Sequence, residues 1–528
     1  MEIEITLKNY RCFPDTRPAR ILIRNGFTSF VGVNNSGKSA LLKFFYEFRG
    51  LFRTLAESPH ELFEALQGNP RALNLSGISD TQSIFCNNNN RNIDLQFRIS
   101  TPDWINGFVN PNQLTIKIDR GSSTWTAQLS ARENRITGQS KITLSNAKNR
   151  FTLLADGADI DISKLRDAFR ELSDTLYIGP FRNILNIGTA QYFDIVVGQQ
   201  FVESWRTYKT GDLIEQNQSI YKLTEEIRRI FDFSGLEINA SQKNDTLQVF
   251  INGKSFKLLD IGSGIAQFIL VLASAAIKKP AFILIDEPEL NLHPSLQLDF
   301  LTTLGSYARE GVMFATHSIG LARSSSENIY SVRKIADGDS EVAVFDAKSR
   351  LSEFAGELSF SGYQELGFDK ILLVEGRTEV KTIQQFLRLW KKDHKVVLIP
   401  IGGRELINSL AEDELREIKR ISPNVFALID SERNSPGADL EPNREVFRQS
   451  CQRVGITCHV LERRATENYF SDEAVKKVKG DTHKALGEYE KLKDVSPSWS
   501  KKENWRIARV MSSSEIEATD LGQFLKNI

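Results

Sequence analysis

Carboxylates recur in this chain directly after short apolar runs, where a strand buried on both faces ends and an acid is left at its edge. Phe282 to Ile285 lead into Asp286 and Glu287, Ile371 to Val374 into Glu375, and Val425 to Ile429 into Asp430 and Glu432. Two adjacent acids at the first edge need a cation. Mg²⁺ held through Asp286, with Glu287 polarising a water, is what phosphoanhydride hydrolysis requires. At the other two edges, carboxylates brought together from separate strands can hold one or two Mg²⁺ or Mn²⁺, a common way of cutting phosphodiester bonds. Glu379, four residues past Glu375, falls in the first turn of the next helix, and Glu467 follows a fourth strand, so both join that candidate metal set.

A second group of residues suits phosphate. GVNNSGKS, Gly32 to Ser39, stands between a strand, Phe27 to Val31, and a helix marked by Leu41, Leu42, Phe45 and Phe48. Gly32 and Gly37 let the backbone through Asn34, Asn35 and Ser36 wrap a triphosphate, Lys38 reaches the β and γ phosphates, and Ser39 binds Mg²⁺. In LLDIGSGIAQ, Ser263 and Gly264 open a strongly apolar helix, an anion-binding geometry, and His317 ends the strand Val312 to Ala315 within reach of a γ-phosphate.

The elements that must position these groups divide the chain of 528 residues, too long for one core, into two or three domains. Residues 2 to 7 alternate as a strand. Residues 50 to 90 begin helical and end in the polar run Asn87 to Asn90. Short alternating segments from Ile93 to Leu154 predict an antiparallel meander, Thr175 to Arg182 a buried strand and turn, and Asn183 to Ile238 a helical layer or insertion with Tyr221 to Phe233 its clearest helix. After a linker-like stretch, strands at Ile371 to Val374, Val396 to Pro400, Val425 to Ile429 and Ile456 to Leu461 alternate with helices, one of them marked by Ile383, Phe386, Leu387 and Trp390. That alternation predicts a small parallel sheet with its chemistry at the carboxyl ends of the strands.

Composition is that of an ordinary globular protein, with 41% apolar and 25% charged residues. Sixty-seven basic residues balance sixty-seven acidic ones, so nucleic-acid binding has to come from a local basic surface. Four cysteines without metal-ligand spacing read as buried thiols in a reducing compartment. No apolar run approaches a membrane span and the start is a charged strand, which predicts a cytoplasmic protein without membrane contact.

GVNNSGKS, DIGSGIAQ, ILIDEPELNLHP and THS, in that order, resemble the Walker A, signature, Walker B with D-loop, and switch-histidine motifs of ABC-type ATPases. The resemblance covers residues 1 to 345. It implies a homodimer in which two heads sandwich ATP, with Ser263 and Gly264 acting across the interface and Leu290 to Pro294 beside it; Gln82 is one candidate for the Q-loop glutamine. Residues 369 to 528 resemble a TOPRIM domain, with Glu375 and Glu379 as its ExxxE motif and Asp430-Ser431-Glu432 replacing its DxD, a change that lengthens one ligand by a methylene. The two together are similar to the OLD family of nucleases, which includes the nuclease subunit of the Gabija phage-defence system. That similarity implies an acid motif at Glu467, Asn468 and Tyr469, a late lysine at Lys501 or Lys502, and a dimerisation segment at 183 to 238.

The expected fold is therefore α/β: an ABC-type P-loop ATPase head with an antiparallel β subdomain and helical insertion, a linker at 346 to 368, and a Rossmann-like TOPRIM domain. The expected activity is ATP-binding, metal-dependent DNA endonuclease action in antiphage defence. Lys38, Ser39, Asp286, Glu287 and His317 serve ATP, and Glu375, Glu379, Asp430, Glu432 and Glu467 serve Mg²⁺ or Mn²⁺. A neighbouring helicase, or a reverse transcriptase with its nucleic-acid product, is the kind of partner implied. The rival reading is an ATPase that clamps or senses nucleic acid with a degenerate TOPRIM module. A primer-synthesising enzyme ranks below both, as no zinc-binding cysteine set is present.

Overall fold

Strands whose residues are apolar at every position must be covered on both faces, and the chain builds two such sheets. The computed structural model describes residues 2–99, 104–105, 108–109, 111–131, 134–136, 142–145, 152–155, 158–180, 191–243, 246–258, 260–335, 338–345, 370–393, 395–401 and 412–528. It divides into two compact units. The first comprises Met1–Asn291, Thr303–His317 and Asn328–Phe345, and the second Leu292–Thr302, Ser318–Glu327 and Asp346–Ile528. Two segments inside the range 1 to 345 thus belong to the second unit, where the sequence suggested one continuous domain. The linker at 346 to 368 lies outside the described residues.

In the first unit the strands run Thr175–Ile178, Phe282–Asp286, Gly311–Thr316, Gly26–Val31, Asn328–Lys334 and Ser340–Val344, all parallel except the last. Asp286 pairs with Ala315 and Thr316 with Val31, so Asp286, His317 and Gly32 emerge at one edge. A second sheet carries strand Glu2–Lys8 between Ala19–Arg24 and Ile93–Ile99, all antiparallel, and continues through Gln113–Ile118 and Thr124–Ala131. Ile3, Ile5 and Leu7 alternate into its core. The expected meander is there, together with a smaller sheet formed by short strands between Trp104 and Asp161.

The region from 183 to 238 is only partly helical. Helices Gly198–Thr210 and Ile214–Ile230 follow a short hairpin, Gln191–Tyr192 with Ile195–Val196. Leu236–Ala240 then begins a three-stranded sheet with Leu247–Ile251 and Lys254–Lys257 that the helical reading overlooked. Its last strand is exposed at every residue, so it carries no apolar alternation to read.

The second unit is built on a four-stranded sheet in the order Val396–Pro400, Lys370–Val374, Val425–Ile429, Thr457–Val460, all parallel as expected. Alternate residues serve opposite faces. Leu372, Val374, Leu398 and Leu428 pack in one core with Ile383, Phe386 and Ile507. Ile371, Leu373, Ile399, Ala427 and Ile429 pack in another with Leu415, Ile418, Phe447 and Cys451. Helix Arg377–Arg388 ends before Trp390, which lies partly buried in the turn beyond it. Because Val374 pairs with Leu428, Glu375 and Asp430 leave neighbouring strands at the same edge.

Candidate active sites

The phosphate loop begins where strand Gly26–Val31 stops and ends in helix Lys38–Glu47. A Cβ at Gly32 would meet the Val332 carbonyl at 2.1 Å, and Gly37 has φ +102°, so both positions require glycine. Lys38 is buried, and its ammonium donates to the loop carbonyls of Gly32 (2.8 Å) and Val33 (2.9 Å). Burial lowers its pKa against the pull of Asp286, Glu287 and Glu289. The third donor direction leads to His317 Nε2 at 3.4 Å, and that nitrogen is also 3.2 Å from Glu287 Oε1. One ring nitrogen cannot accept from Lys38 and donate to Glu287 at once, so the tautomer of His317 decides which of the two it engages.

Asp286 is buried, which raises its pKa; a hydrogen bond from Ser39 opposes that rise. Its Oδ1 has no hydrogen-bond partner. A buried carboxylate oxygen left open beside a serine hydroxyl is the donor set that Mg²⁺ takes at a phosphate loop, so Ser39 and Asp286 fit that ion. Glu287 holds a positive φ of 53°, a conformation that costs a non-glycine residue about 1–3 kcal/mol and collects at functional sites. Glu289, which the sequence reading passed over, accepts from Thr316 Oγ1 (2.7 Å) and from the His317 amide (2.8 Å). It fixes the turn that presents His317. The only signal for it was its place in the same acidic turn.

Ser263 is exposed and Gly264 half-buried at the start of helix Ser263–Lys278. Asn34 and Asn35 lie open to solvent in the phosphate loop, and Ser36 is buried. Gln82 donates to the Arg120 carbonyl (2.9 Å) from a short turn, Thr81–Ile84.

In the second unit the five predicted acids divide into two groups. Glu375 is gripped at both oxygens by Arg444, at 2.9 Å each, and Arg444 also donates to the Asp430 carbonyl at 2.6 Å. Glu432, with φ 55°, is ion-paired with Arg464, which spans its carbonyl and those around it. Arginine thus occupies these two carboxylates where the sequence suggested metal ligands.

Glu379, Asp430 and Glu467 form the other group. Burial raises the pKa of Asp430 well above the usual carboxylate range, and Glu375, Glu467 and Glu379 push it further. Burial likewise raises Glu379, Lys501 opposing. Asp430 Oδ1 accepts from the Thr466 amide (3.1 Å) and hydroxyl (3.2 Å). Glu467 is 3% exposed, and its Oε2 has no hydrogen-bond partner.

Lys501 supplies the positive charge, pairing with Glu467 Oε1 at 2.8 Å. Burial disfavours its charge, yet Glu467, Asp430 and Glu379 outweigh that and raise its pKa. Lys502, its neighbour, instead adds its charge near Lys381. Asn468 braces the turn by donating to the Gly487 (2.6 Å) and Glu490 (2.9 Å) carbonyls, while Tyr469 donates to Asp520 (2.6 Å). Among the described residues, no three carboxylates, imidazoles or thiols stand close enough to share one ion. The trio supplies negative charge and one open oxygen, but as placed its carboxylates stand too far apart to share one ion, and the lysine ammonium already lies among them.

A family model described as "AAA domain, putative AbiEii toxin, Type IV TA system" matches residues 27–323, more than half of the chain. The chain belongs to this AAA family. The AAA domain accordingly binds ATP and hydrolyses it. It is a mixed α/β P-loop ATPase head.

Among solved structures, an SMC head bound to the C-winged helix domain of ScpA is similar at 12% identity, over 65% of this chain and 97% of that one, with a TM-score of 0.35. The SMC head domain from Thermotoga maritima is similar at 15% identity, over 66% and 100%, with a TM-score of 0.32. A Smc head with an extended coiled coil, bound to the C-terminal domain of ScpA and derived from Pyrococcus furiosus, is similar at 11% identity, over 69% and 98%, with a TM-score of 0.33. No curated protein matches the chain. Among the described residues no helix is long and apolar enough to cross a membrane.

Proposed function

We propose that this AAA-family ATPase is an ATP-controlled, divalent-metal-dependent DNA endonuclease of an antiphage defence system, similar to the OLD nucleases. The observation that carries the reading is Lys501 set among Glu467, Asp430 and Glu379 at the carboxyl edge of a parallel sheet. A cation-hungry acid cluster with an adjoining ammonium is suited to a phosphodiester: the acids hold metal, and Lys501 neutralises charge developing on the phosphate. Glu379, Asp430 and Glu467 would draw together to hold Mg²⁺ or Mn²⁺, which would lower the pKa of an attacking water. Arg444 keeps Glu375 oriented beside them. The toxin named in the family description is in keeping with a role in defence.

Ser263 and Gly264, exposed or half-buried at a helix start, are available to a second copy, which supports the homodimer that the ATPase resemblance implies. Glu287 would then govern when the acids of the second unit cut. A neighbouring helicase, or a reverse transcriptase with its product, is the proposed kind of partner.

The arginine clamp on Glu375 favours a second reading, in which the acid edge is degenerate and the ATPase clamps or senses nucleic acid without cutting it. Plasmid incubated with Mg²⁺ or Mn²⁺ across a range of ATP concentrations separates the two. The nuclease reading expects nicking by the wild type and none by Glu467→Gln. Intact plasmid with both proteins, with partners present, favours the clamp.

A further inference from the structure

The second unit opens beside Glu467 into a cavity of about 620 Å³. Two of its walls carry the open Glu467 carboxylate and the Lys501 ammonium. Half-buried Leu492 provides an apolar wall with the small exposed part of Trp499, which is 7% exposed and whose indole donates to Asn504 Oδ1 at 2.9 Å. Lys491 and Lys493, flanking Leu492, add two further cations. Four carboxylates also line the space: Glu467 paired with Lys501, Glu432 with Arg464, Glu490 accepting from the Gly487 amide at 3.0 Å, and Glu441 3.8 Å from Arg444, whereas Lys491 and Lys493 are the cations not drawn into these pairs.

A ligand matched to this lining has an anionic backbone for Lys491, Lys493 and Lys501 and an apolar surface for Leu492 and the exposed part of Trp499. A nucleotide has both. Pockets of about 300–1,000 Å³ enclose molecules of that size. A duplex, whose major groove alone is about 12 Å wide, does not enter one, and a base inside a duplex is stacked and has to be extruded before a pocket can hold it. Because the chain has no net charge, recognition falls to local cations such as these.

We propose that this cavity receives one unpaired nucleotide of a nucleic-acid strand, with phosphate against Lys491, Lys493 and Lys501 and base against Trp499 and Leu492. The proposal rests on the phosphodiesterase reading and narrows its substrate to DNA that presents a single-stranded end, flap or extruded base. A free nucleotide shares the chemistry, and the test separates the two.

Binding is measured by fluorescence anisotropy with full-length Glu467→Gln protein and repeated with wild type in EDTA, so that neither cuts the probe. The probes are a labelled single-stranded oligonucleotide and a blunt duplex containing the same strand, with dTMP as competitor. The single strand is expected to bind about tenfold tighter than the duplex, and Lys491→Ala with Lys493→Ala to lose about tenfold on the single strand while ATP affinity is unchanged. Equal affinity for the blunt duplex, or no loss in the lysine variant, overturns the proposal. Displacement by dTMP at the oligonucleotide's own concentration range overturns it in favour of a free nucleotide. The plasmid assay judges the nuclease reading separately, because strand-selective binding without cleavage would spare the pocket and sink the nuclease.

Discussion

Arg444 holds Glu375 through both carboxylate oxygens, and the arginine side chain is completely shielded from solvent. Burial works against its charge, yet Glu375, Asp430 and Glu432 raise its pKa. Removing one partner of a buried pair strands the other charge at a cost of about 3–5 kcal/mol. Arg444→Met is therefore expected to lower the unfolding free energy of the second unit by that order, and Glu375→Gln with Arg444→Met to recover part of it. Urea titrations of the single and double variants measure the difference. Additive losses would mean that the pair is not coupled.

Asp430 gives a pH signature. Its folded pKa is raised above the unfolded value by burial and by Glu375, Glu467 and Glu379, so between those two values the folded state binds more protons than the unfolded one. Stability therefore falls as pH rises through that window and levels off above the folded pKa. Asp430→Asn removes the penalised charge and is expected to gain about 0.5–2 kcal/mol at neutral pH, as functional acids often do when neutralised. The check is the denaturation midpoint from pH 4 to 8, where the wild-type slope should flatten in the variant.

At the ATP site, Lys38→Ala is expected to weaken nucleotide binding, while Glu287→Gln keeps it and slows hydrolysis. Removing a general base costs about 10²–10⁴-fold in rate. Glu289 touches only Thr316 and His317 in the hydrogen bonds described, which makes it a positioning residue. Glu289→Gln should lower kcat by about tenfold with little change in ATP affinity, since a misplaced group impairs the transition state more than binding. Turnover assays beside fluorescent-nucleotide titrations test all three. An unchanged kcat in Glu287→Gln would remove that residue from the base role.

The parallel strands and their terminal acids were legible because a strand buried on both faces leaves an uninterrupted apolar run, as in Phe282–Asp286 and Lys370–Val374. The glycine loop was legible through its spacing between strand and helix. Arg444 and Glu289 were not, since a single charged residue on a helix or turn carries no period and its partner is distant in sequence. The strand Lys254–Lys257 was hidden for the opposite reason, being exposed throughout. Nor does local pattern reveal that Leu292–Thr302 and Ser318–Glu327 pack with the second unit: Asp299 bonds Gln384 at 3.1 Å, and Glu327 pairs with buried Lys381, all through side chains far apart in the chain.

Spacing alone also left Lys501 and Lys502 equivalent, and the structure separates them. Lys501 pairs with Glu467 and stabilises three acids, whereas Lys502 belongs to the surroundings of Lys381. The folded pKa of Lys501 is raised, so its contribution to stability is complete below the unfolded lysine pKa and is lost only as pH climbs through the folded value. At neutral pH, Lys501→Met removes the cation that offsets the acid cluster, and Asp430 and Glu379 are then harder to ionise. Added Mg²⁺ or Mn²⁺ should therefore raise the Tm of Lys501→Met more than that of the wild type, because a metal replaces the missing charge. Lys502→Met should show the wild-type response. Thermal melts with and without metal provide the comparison, and DNA cleavage should fall at least tenfold in Lys501→Met alone if the ammonium meets the phosphate. Equal metal responses in the two variants would sever Lys501 from the acid cluster.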